Sequence, residues 1–248
     1  PDPGPRFDNK VHTGYAYFNA HVTLGRDLVE AGVDVVSTAN NHALDRGPVG
    51  VDRTIEALKT IGLPYTGTRR QGDARSPWHA ITEAEGIRIA WVACTMMTNE
   101  IPDPAGQVMR CYDTQTDDRV TPLVRRLRKT AGVDAVIVTP HWGKSYHPDP
   151  VIHQRILARR WLEAGALAVI GSHPHVIQRW EKITTRDGRE TFVLYSIGNF
   201  VSHQIDFPSS ASIALLLGLT KGADGVTRIH GVRHLPLEMR VVDDEWFV

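Results

Sequence analysis

The chain has 248 residues, and its 28 basic and 28 acidic residues give a formal net charge of zero. A hydrophobic content of 42% and a charged content of 23% are those of a folded globular protein, and they exclude a disordered or fibrous one. A net charge of zero gives no broad attraction to nucleic acid. We therefore predict no nucleic-acid partner, and we expect function to lie in a local site.

No apolar run approaches the roughly 18 to 20 residues of a membrane-spanning helix, and the first ten residues are too polar for a signal sequence. The chain as given is predicted to be soluble, as one α/β domain over residues 1–248. Because it begins with Pro1 rather than Met, we expect that an upstream segment is missing. Cys94 and Cys111 belong to no paired-cysteine metal signature, so we expect two ordinary thiols.

The predicted elements alternate between helices and strands. In chain order they are a helix end and strand over 28–42, a helix over 47–62, two strands over 78–95 about Glu85-Gly86, a second helix end and strand over 128–143, a third over 162–175, two strands over 179–200 about Asp187-Gly188, and a hairpin over 212–242 about Gly222 to Gly225. Residues 96–118, rich in Pro, Asp, Thr and Gly, are predicted to form a long connection that can cover the site.

Three of these stretches share one design, in which a helix end, a strand and a histidine follow one another. They read LVEAGVDVVSTANNH (28–42), RKTAGVDAVIVTPHWG (128–143) and LEAGALAVIGSHPH (162–175). In each, an Ala-Gly pair ends a helix, and a nearly continuous apolar run then indicates a strand buried on both faces. We predict that the three strands are parallel neighbours, so that their histidines meet at the sheet edge where open α/β sheets bind ligands.

The histidines at these strand ends indicate a metal site. A single histidine at a strand end is more often structural, but three ends of matching design favour ligation. Imidazole is the commonest metal ligand, and an Asn oxygen is a usual partner beside it. We predict that Asn41, His141, His173 and His175 hold a divalent ion, or two ions about 3.5 to 4 Å apart, that would polarise a substrate oxygen and generate hydroxide.

Asp45 follows the Asn-Asn-His segment, and two interpretations of it stand side by side. Its carboxylate either orients a histidine of the site or caps the helix that begins nearby. We name His42 and Asp45 as the catalytic candidates. The sequence lacks a GxSxG elbow, a phosphate-binding GxxxxGK[ST] loop and a GxGxxG turn that opens a helix, so serine-based acyl transfer and nucleotide cradling are disfavoured.

Four segments in the same order resemble the CapA family of capsule and poly-γ-glutamate biosynthesis proteins. They read GVDVVSTANNHALDRGPVGVDRTIEAL, PHWGKSYHPDP, ALAVIGSHPHVIQ and VLYSIGNFV, and the likeness covers about residues 15 to 205. The resemblance implies an α/β fold similar to calcineurin-like metallophosphoesterases, a β-sandwich flanked by helices, here apparently lacking the first strand-helix unit.

The resemblance also implies roles for single residues. Asn41 would bind or bridge metal, and His42 would protonate the leaving group or stabilise the transition state. His141, His173 and His175 would be metal ligands for one or two ions of Mn, Fe or Zn. The turn at Gly198-Asn199 would shape the site wall.

Two departures from the family pattern limit what the resemblance implies. Residues 1–38 contain neither an early strand that ends in Gly-Asp nor an Asn-Leu-Glu segment. Either the chain is the remainder of a longer one, or its site is reduced and holds at most one ion. Ser145 stands where the family usually has Glu, and with Lys144 adjacent this change could alter which substrate group is recognised.

The leading hypothesis is a metal-dependent hydrolase of the CapA class that acts on a peptide or poly-γ-glutamyl chain. One alternative is epimerisation at a peptide α-carbon on the same site. Another is a non-catalytic scaffold subunit of a polymer-synthesising complex in the membrane, which would have further partners there. The resemblance suggests a membrane-associated bacterial protein at the outer face of the membrane, and a cytoplasmic one if no anchor precedes Pro1.

Overall fold

The computed structural model describes residues 11–112, 118–242 and 245–247. Within these ranges the helices are α1 Thr23–Glu30, α2 Gly47–Ile61, α3 Val120–Arg128 and α4 Ile152–Ala164. The strands are β1 Val36–Ser37, β2 Tyr65–Thr66, β3 His79–Ala84, β4 Ile87–Thr95, β5 Ala135–His141, β6 Ala168–Ile170, β7 Trp180–Thr184, β8 Glu190–Leu194, β9 Ala211–Lys221, β10 Thr227–Glu238, β11 Arg240–Val242 and β12 Glu245–Phe247. None of the helices in these ranges has the length and apolar character needed to cross a bilayer.

The chain divides into two compact units. Unit 1 takes in Pro1–Thr82 and Trp91–Arg119, and unit 2 takes in Glu83–Ala90 and Val120–Val248, as far as the structure describes them. The division passes through β3 and β4, so both strands contribute residues to each unit.

Unit 1 is built on a β1-α2-β2 crossover. The predicted helix over 47–62 is confirmed, and it ends where Gly62 adopts a left-handed conformation with φ of 76°. Its apolar stripe packs into a buried cluster that contains Ala39, Leu44, Val51, Ile55, Ala93 and Val108. The helix returns the chain directly beside β1, and β1 therefore pairs in parallel with β2.

The prediction that the three recurrent strands are sheet neighbours is wrong for the first of them. β1 has only two residues, and its sheet contains β2 alone among the described strands. The physical reason is local, because Thr38 N–H already donates to Thr66 O at 2.9 Å and so continues the pairing with the segment after α2.

The second and third recurrent strands are parallel neighbours, as predicted. The larger sheet has the order β3-β4-β5-β6-β8-β7. β5 pairs in parallel with β6, and β6 pairs in parallel with β8. Val136, Val138, Val169 and Val193 are buried, as expected for strands covered on both faces.

The three predicted hairpins are also confirmed. β3 and β4 flank Glu85-Gly86, whose φ angles of 50° and 73° suit a tight turn between antiparallel strands. β7 pairs antiparallel with β8, and β9 pairs antiparallel with β10.

The expectation of two free thiols is wrong, because Cys94 and Cys111 form a buried disulfide. Cys94 lies near the end of β4, and Cys111 N–H donates to Thr95 O at 2.9 Å, which brings the two Cα atoms to 4.9 Å. The predicted long connection is described for residues 96–112, whereas residues 113–117 lie outside the described residues.

Candidate functional site

His42 and Asp45 form a hydrogen-bonded pair in unit 1. His42 Nδ1 lies 2.8 Å from Asp45 Oδ2, and the side chain of Asp45 is 2% exposed while that of His42 is 24% exposed. A carboxylate can only accept, so Nδ1 of His42 carries the shared proton. The other ring nitrogen, Nε2, is therefore left for a reacting group.

Backbone groups from two directions hold this pair. Phe18 N–H donates to Asp45 Oδ2 at 2.8 Å, and the Phe18 ring meets the imidazole of His42 edge-on at 4.6 Å between centroids. His42 N–H donates to Asn40 Oδ1 at 2.8 Å, which fixes the turn that presents the histidine. The Asp45 side chain does not cap α2, whose N-cap residue is Arg46.

Asn99 lies beside His42 and Asn41, and the sequence did not predict it as a site residue. Asn41 Nδ2–H donates to Asn99 Oδ1 at 2.9 Å, and Asn99 Nδ2 lies 3.3 Å from His42 Nδ1. Because that ring nitrogen already donates to Asp45, we interpret the second approach as a packing contact. The one indication in the sequence was that Asn99 lies in residues 96–118, the connection predicted to cover the site.

The remaining predicted histidines lie in unit 2, at the ends of β5 and β6. His141 and Ser172 face each other across a parallel bridge between these two strand ends. His141 Nε2 lies 3.1 Å from His173 Nδ1, and His141 Nδ1 lies 3.1 Å from Ser172 Oγ. Ser145 Oγ lies 3.4 Å from His173 Nε2.

His175 is held next to this pair by Asn199. Its Nδ1 lies 2.9 Å from Asn199 Oδ1, and its ring lies 5.8 Å from the His173 ring between centroids. Asn199 Nδ2–H donates to Ser209 O at 2.9 Å, which anchors the amide to the following loop. Tyr146 stacks on the His175 ring at 5.4 Å with an interplanar angle of 23°, and its side chain is exposed.

The backbone around these histidines is strained. His173 and His175 have φ angles of 100° and 63°, a region that residues with a Cβ atom seldom adopt. Gly171 lets the backbone of Tyr195 and the indole of Trp142 approach closely, since a Cβ atom at position 171 would lie 2.1 Å from Tyr195 O and 2.3 Å from Trp142 Nε1. The fold therefore holds this segment in a costly conformation that presents its imidazoles.

These residues fit a metal ion only in part. Two nitrogens bound to one ion at about 2.0 to 2.1 Å lie about 3 Å apart, which matches the separation of His141 Nε2 and His173 Nδ1. Among the residues that the structure describes, no three His, Cys, Asp or Glu side chains are arranged so that they could hold an ion. His141 and His173 thus offer two ligands, and unit 1 separately brings Asn41, His42 and Asp45 together.

Comparison with solved structures defines the class of fold. A sulfate thiohydrolase, SoxB, from Thermus thermophilus aligns over 87% of the chain and 34% of its own, with a TM-score of 0.54 and 18% identity. A hypothetical protein, also from Thermus thermophilus, aligns over 86% of the chain and 79% of its own, with a TM-score of 0.52 and 20% identity. The chain has the calcineurin-like metallophosphoesterase fold, as the sequence predicted.

Comparison of sequences defines the family. The family described as bacterial capsule synthesis protein PGA_cap matches residues 7–204, and the chain belongs to this family. It is 30% identical over 198 residues to the capsule biosynthesis protein CapA of Bacillus anthracis, and 31% identical over 207 residues to the PGA biosynthesis protein CapA of Bacillus subtilis (strain 168). These alignments cover 75% and 80% of the chain but 45% and 52% of the relatives, so the chain spans about half their length.

Proposed function

We propose that the chain is a metal-dependent hydrolase of capsule or polyglutamate biosynthesis that acts on a peptide or poly-γ-glutamyl chain. The observation that carries the proposal is the His42–Asp45 pair, in which a buried carboxylate holds the imidazole by its Nδ1–H. A histidine fixed in this way can give a proton to, or take one from, a group that approaches Nε2.

In hydrolysis of an amide, the nitrogen of the leaving amine must gain a proton as its bond to the carbonyl carbon breaks. His42 in its protonated form would donate that proton from Nε2, and Asp45 would stabilise the imidazolium through its hydrogen bond. His141 and His173, with His175 as a further predicted ligand in the same unit, would hold the divalent ion. A bound ion of Mn, Fe or Zn would supply polarisation of the carbonyl and an activated water.

The substrate class is inferred from the family and from the charge of the loop after β5. The two Bacillus relatives are named for capsule and PGA biosynthesis. The neutral hydroxyl of Ser145 lies next to His173, and Lys144 precedes it with an exposed side chain. A carboxylate at position 145 would repel a polyanionic substrate, whereas a hydroxyl beside an ammonium group favours one.

The test is hydrolysis of a defined γ-glutamyl oligomer in the presence of Mn²⁺ or Zn²⁺, followed by mass spectrometry of the products. We expect His42→Ala to lower kcat by about 10² to 10⁴, the usual contribution of a general acid or base. His153→Ala, at an exposed helical position, serves as the matched control. Equal rates for His42→Ala and wild type would contradict the proposal.

The same assay in D₂O separates hydrolysis from epimerisation. Deuterium at the α-carbon of an uncleaved oligomer would assign the site to proton abstraction and return at carbon. The scaffold alternative is favoured by one observation, that the described residues form no three-ligand metal group. Absence of both cleavage and deuterium uptake at every metal tested would support the scaffold.

A further inference from the structure

The outer surface of α3 and α4 in unit 2 is strongly basic. α3 has the sequence VTPLVRRLR, with three arginines and no acidic residue, and Lys129 follows it. α4 has three arginines against the single acidic residue Glu163. Because the whole chain has zero net charge, this surface concentrates positive charge that is balanced elsewhere in the sequence.

The basic residues of the two helices lie close together. The helices pack against each other, and a Cβ at Gly165, directly after α4, would lie 3.0 Å from Arg128 Cβ at the end of α3. The C-terminal ends of the helices are therefore neighbours. The apolar faces are buried, with Leu127 and Trp161 each 2% exposed or less, so the arginines extend from the outer faces into solvent.

Only part of this charge is neutralised. Arg128 pairs with Asp187 at 3.0 Å, and Arg159 pairs with Glu163 at 3.1 Å. The structure gives Arg125, Arg126 and Lys129 no acidic partner among residues 11–112 and 118–242. In the described part of the chain, three unpaired cations thus lie beside two exposed ion pairs. An anionic ligand can replace the carboxylate partner in either pair at little cost in free energy, because exposed ion pairs are weak.

We propose that the α3–α4 basic face, defined as Arg125, Arg126, Arg128, Lys129 and Arg159, binds a flexible polycarboxylate, the poly-γ-glutamyl chain of the proposed function. The inference rests on that proposed function for the identity of the polymer. A guanidinium group binds a carboxylate through two parallel hydrogen bonds, and a polymer offers many carboxylates in series. Several weak contacts on one chain add up because each raises the effective concentration of the next.

The distribution of apolar side chains favours a polymer over a membrane surface. The exposed residues of α3 are Pro122 and its three arginines, so this helix offers the small ring of Pro122 as its one exposed apolar side chain, too little for insertion into lipid. Ile152 and Ile156 of α4 are exposed, but they lie in the first half of that helix, away from the basic end. Recognition at the basic face is therefore electrostatic.

The experiment measures binding of fluorescently labelled poly-γ-glutamate to the full chain by anisotropy, at low and at physiological ionic strength. The test variant is Arg125→Glu/Arg126→Glu/Lys129→Glu. The matched control reverses three exposed basic residues of unit 1, Lys59→Glu/Arg70→Glu/Arg75→Glu, and changes the net charge by the same amount.

We expect the test variant to bind at least about tenfold more weakly at low salt, and the control to stay within about twofold of wild type. Wild-type binding should weaken as salt screens the contacts. A second variant, Arg125→Gln/Arg126→Gln/Lys129→Gln, removes the same positive charges without adding negative ones. It should lose part of the affinity, which separates loss of the cationic contacts from repulsion by introduced carboxylates.

Three results would overturn the proposal. One is that wild type does not bind the polymer, and another is that both triple variants lose affinity equally. The third is that the chain binds vesicles of phosphatidylglycerol but not the polymer, which would assign the face to a membrane. Anisotropy reports binding of the polymer and mass spectrometry of the oligomer reports its cleavage, so failure of the hydrolase proposal and failure of this one give different results.

Discussion

The disulfide between Cys94 and Cys111 leads to a quantitative prediction about stability. Replacing both residues by alanine removes a covalent link that closes a loop with a sequence separation of 17. In the chain-entropy account, such a link stabilises the fold by restricting the unfolded chain, and a loop of this length gives about 3 kcal/mol at 25 °C. Both side chains are fully buried, so the variant also loses some sulfur packing and the estimate is a lower one.

The assay is urea unfolding of the oxidised wild type, the reduced wild type and the double alanine variant. We expect the free energy of unfolding to fall by about 3 kcal/mol on reduction, and by a similar or larger amount in the variant. The variant is its own control, because reductant should leave its unfolding curve unchanged.

A difference below about 1 kcal/mol between oxidised and reduced wild type would refute this reasoning. Intact mass after alkylation without reductant checks the premise, since a formed disulfide leaves neither thiol to be alkylated. The closed loop contains Asn99, which contacts Asn41 and lies near His42. Reduction should therefore slow the His42-dependent reaction as well as lower stability.

Three further predictions concern packing, acid stability and metal. Gly171→Ala places a Cβ atom 2.1 Å from a backbone oxygen and should cost about 3 kcal/mol or more in thermal unfolding, whereas Gly14→Ala meets no atom within 4 Å and should be nearly neutral. A threonine hydroxyl and two arginines hold the pKa of Asp187 well below its usual range, so Asp187→Asn should lose at most about 1 kcal/mol in urea unfolding at pH 7. The difference should shrink as the pH falls below about 4, because the carboxylate of the unfolded wild-type chain is then protonated while that of the folded chain is still ionised. Elemental mass spectrometry of protein purified without chelator should find less Zn, Mn or Fe per chain in His173→Ala than in wild type or His153→Ala, and equal content in all three would contradict ligation by His173.

The parts of the fold that were predictable are those that short-range signals determine. The apolar runs of β5 and β6 and the glycine turns of three hairpins all lie within a few residues of the elements they specify. The placement of β1 was not predictable from its pattern, because α2 directs its pairing to β2 rather than to β5.

The candidate site was predictable to a similar extent. His42 and Asp45 are three residues apart, so a local pattern could suggest that they meet. Asn99 contacts Asn41 across 58 residues, and no periodicity marks such a partner. The disulfide was missed for the same reason, since a spacing of 17 residues matches no cysteine motif and the pairing depends on how β4 meets the segment before Cys111.

The left-handed backbone at His173 and His175 lowers the stability of the fold, while the imidazoles that it presents are the predicted metal ligands. A residue with a Cβ atom is disfavoured in this region by roughly 1 to 2 kcal/mol, and glycine would adopt it without that cost. A chain selected for folding alone would therefore place glycine on either side of Pro174. A library of this protein sorted only by thermal resistance should lose these two histidines early, whereas one sorted by function should keep them.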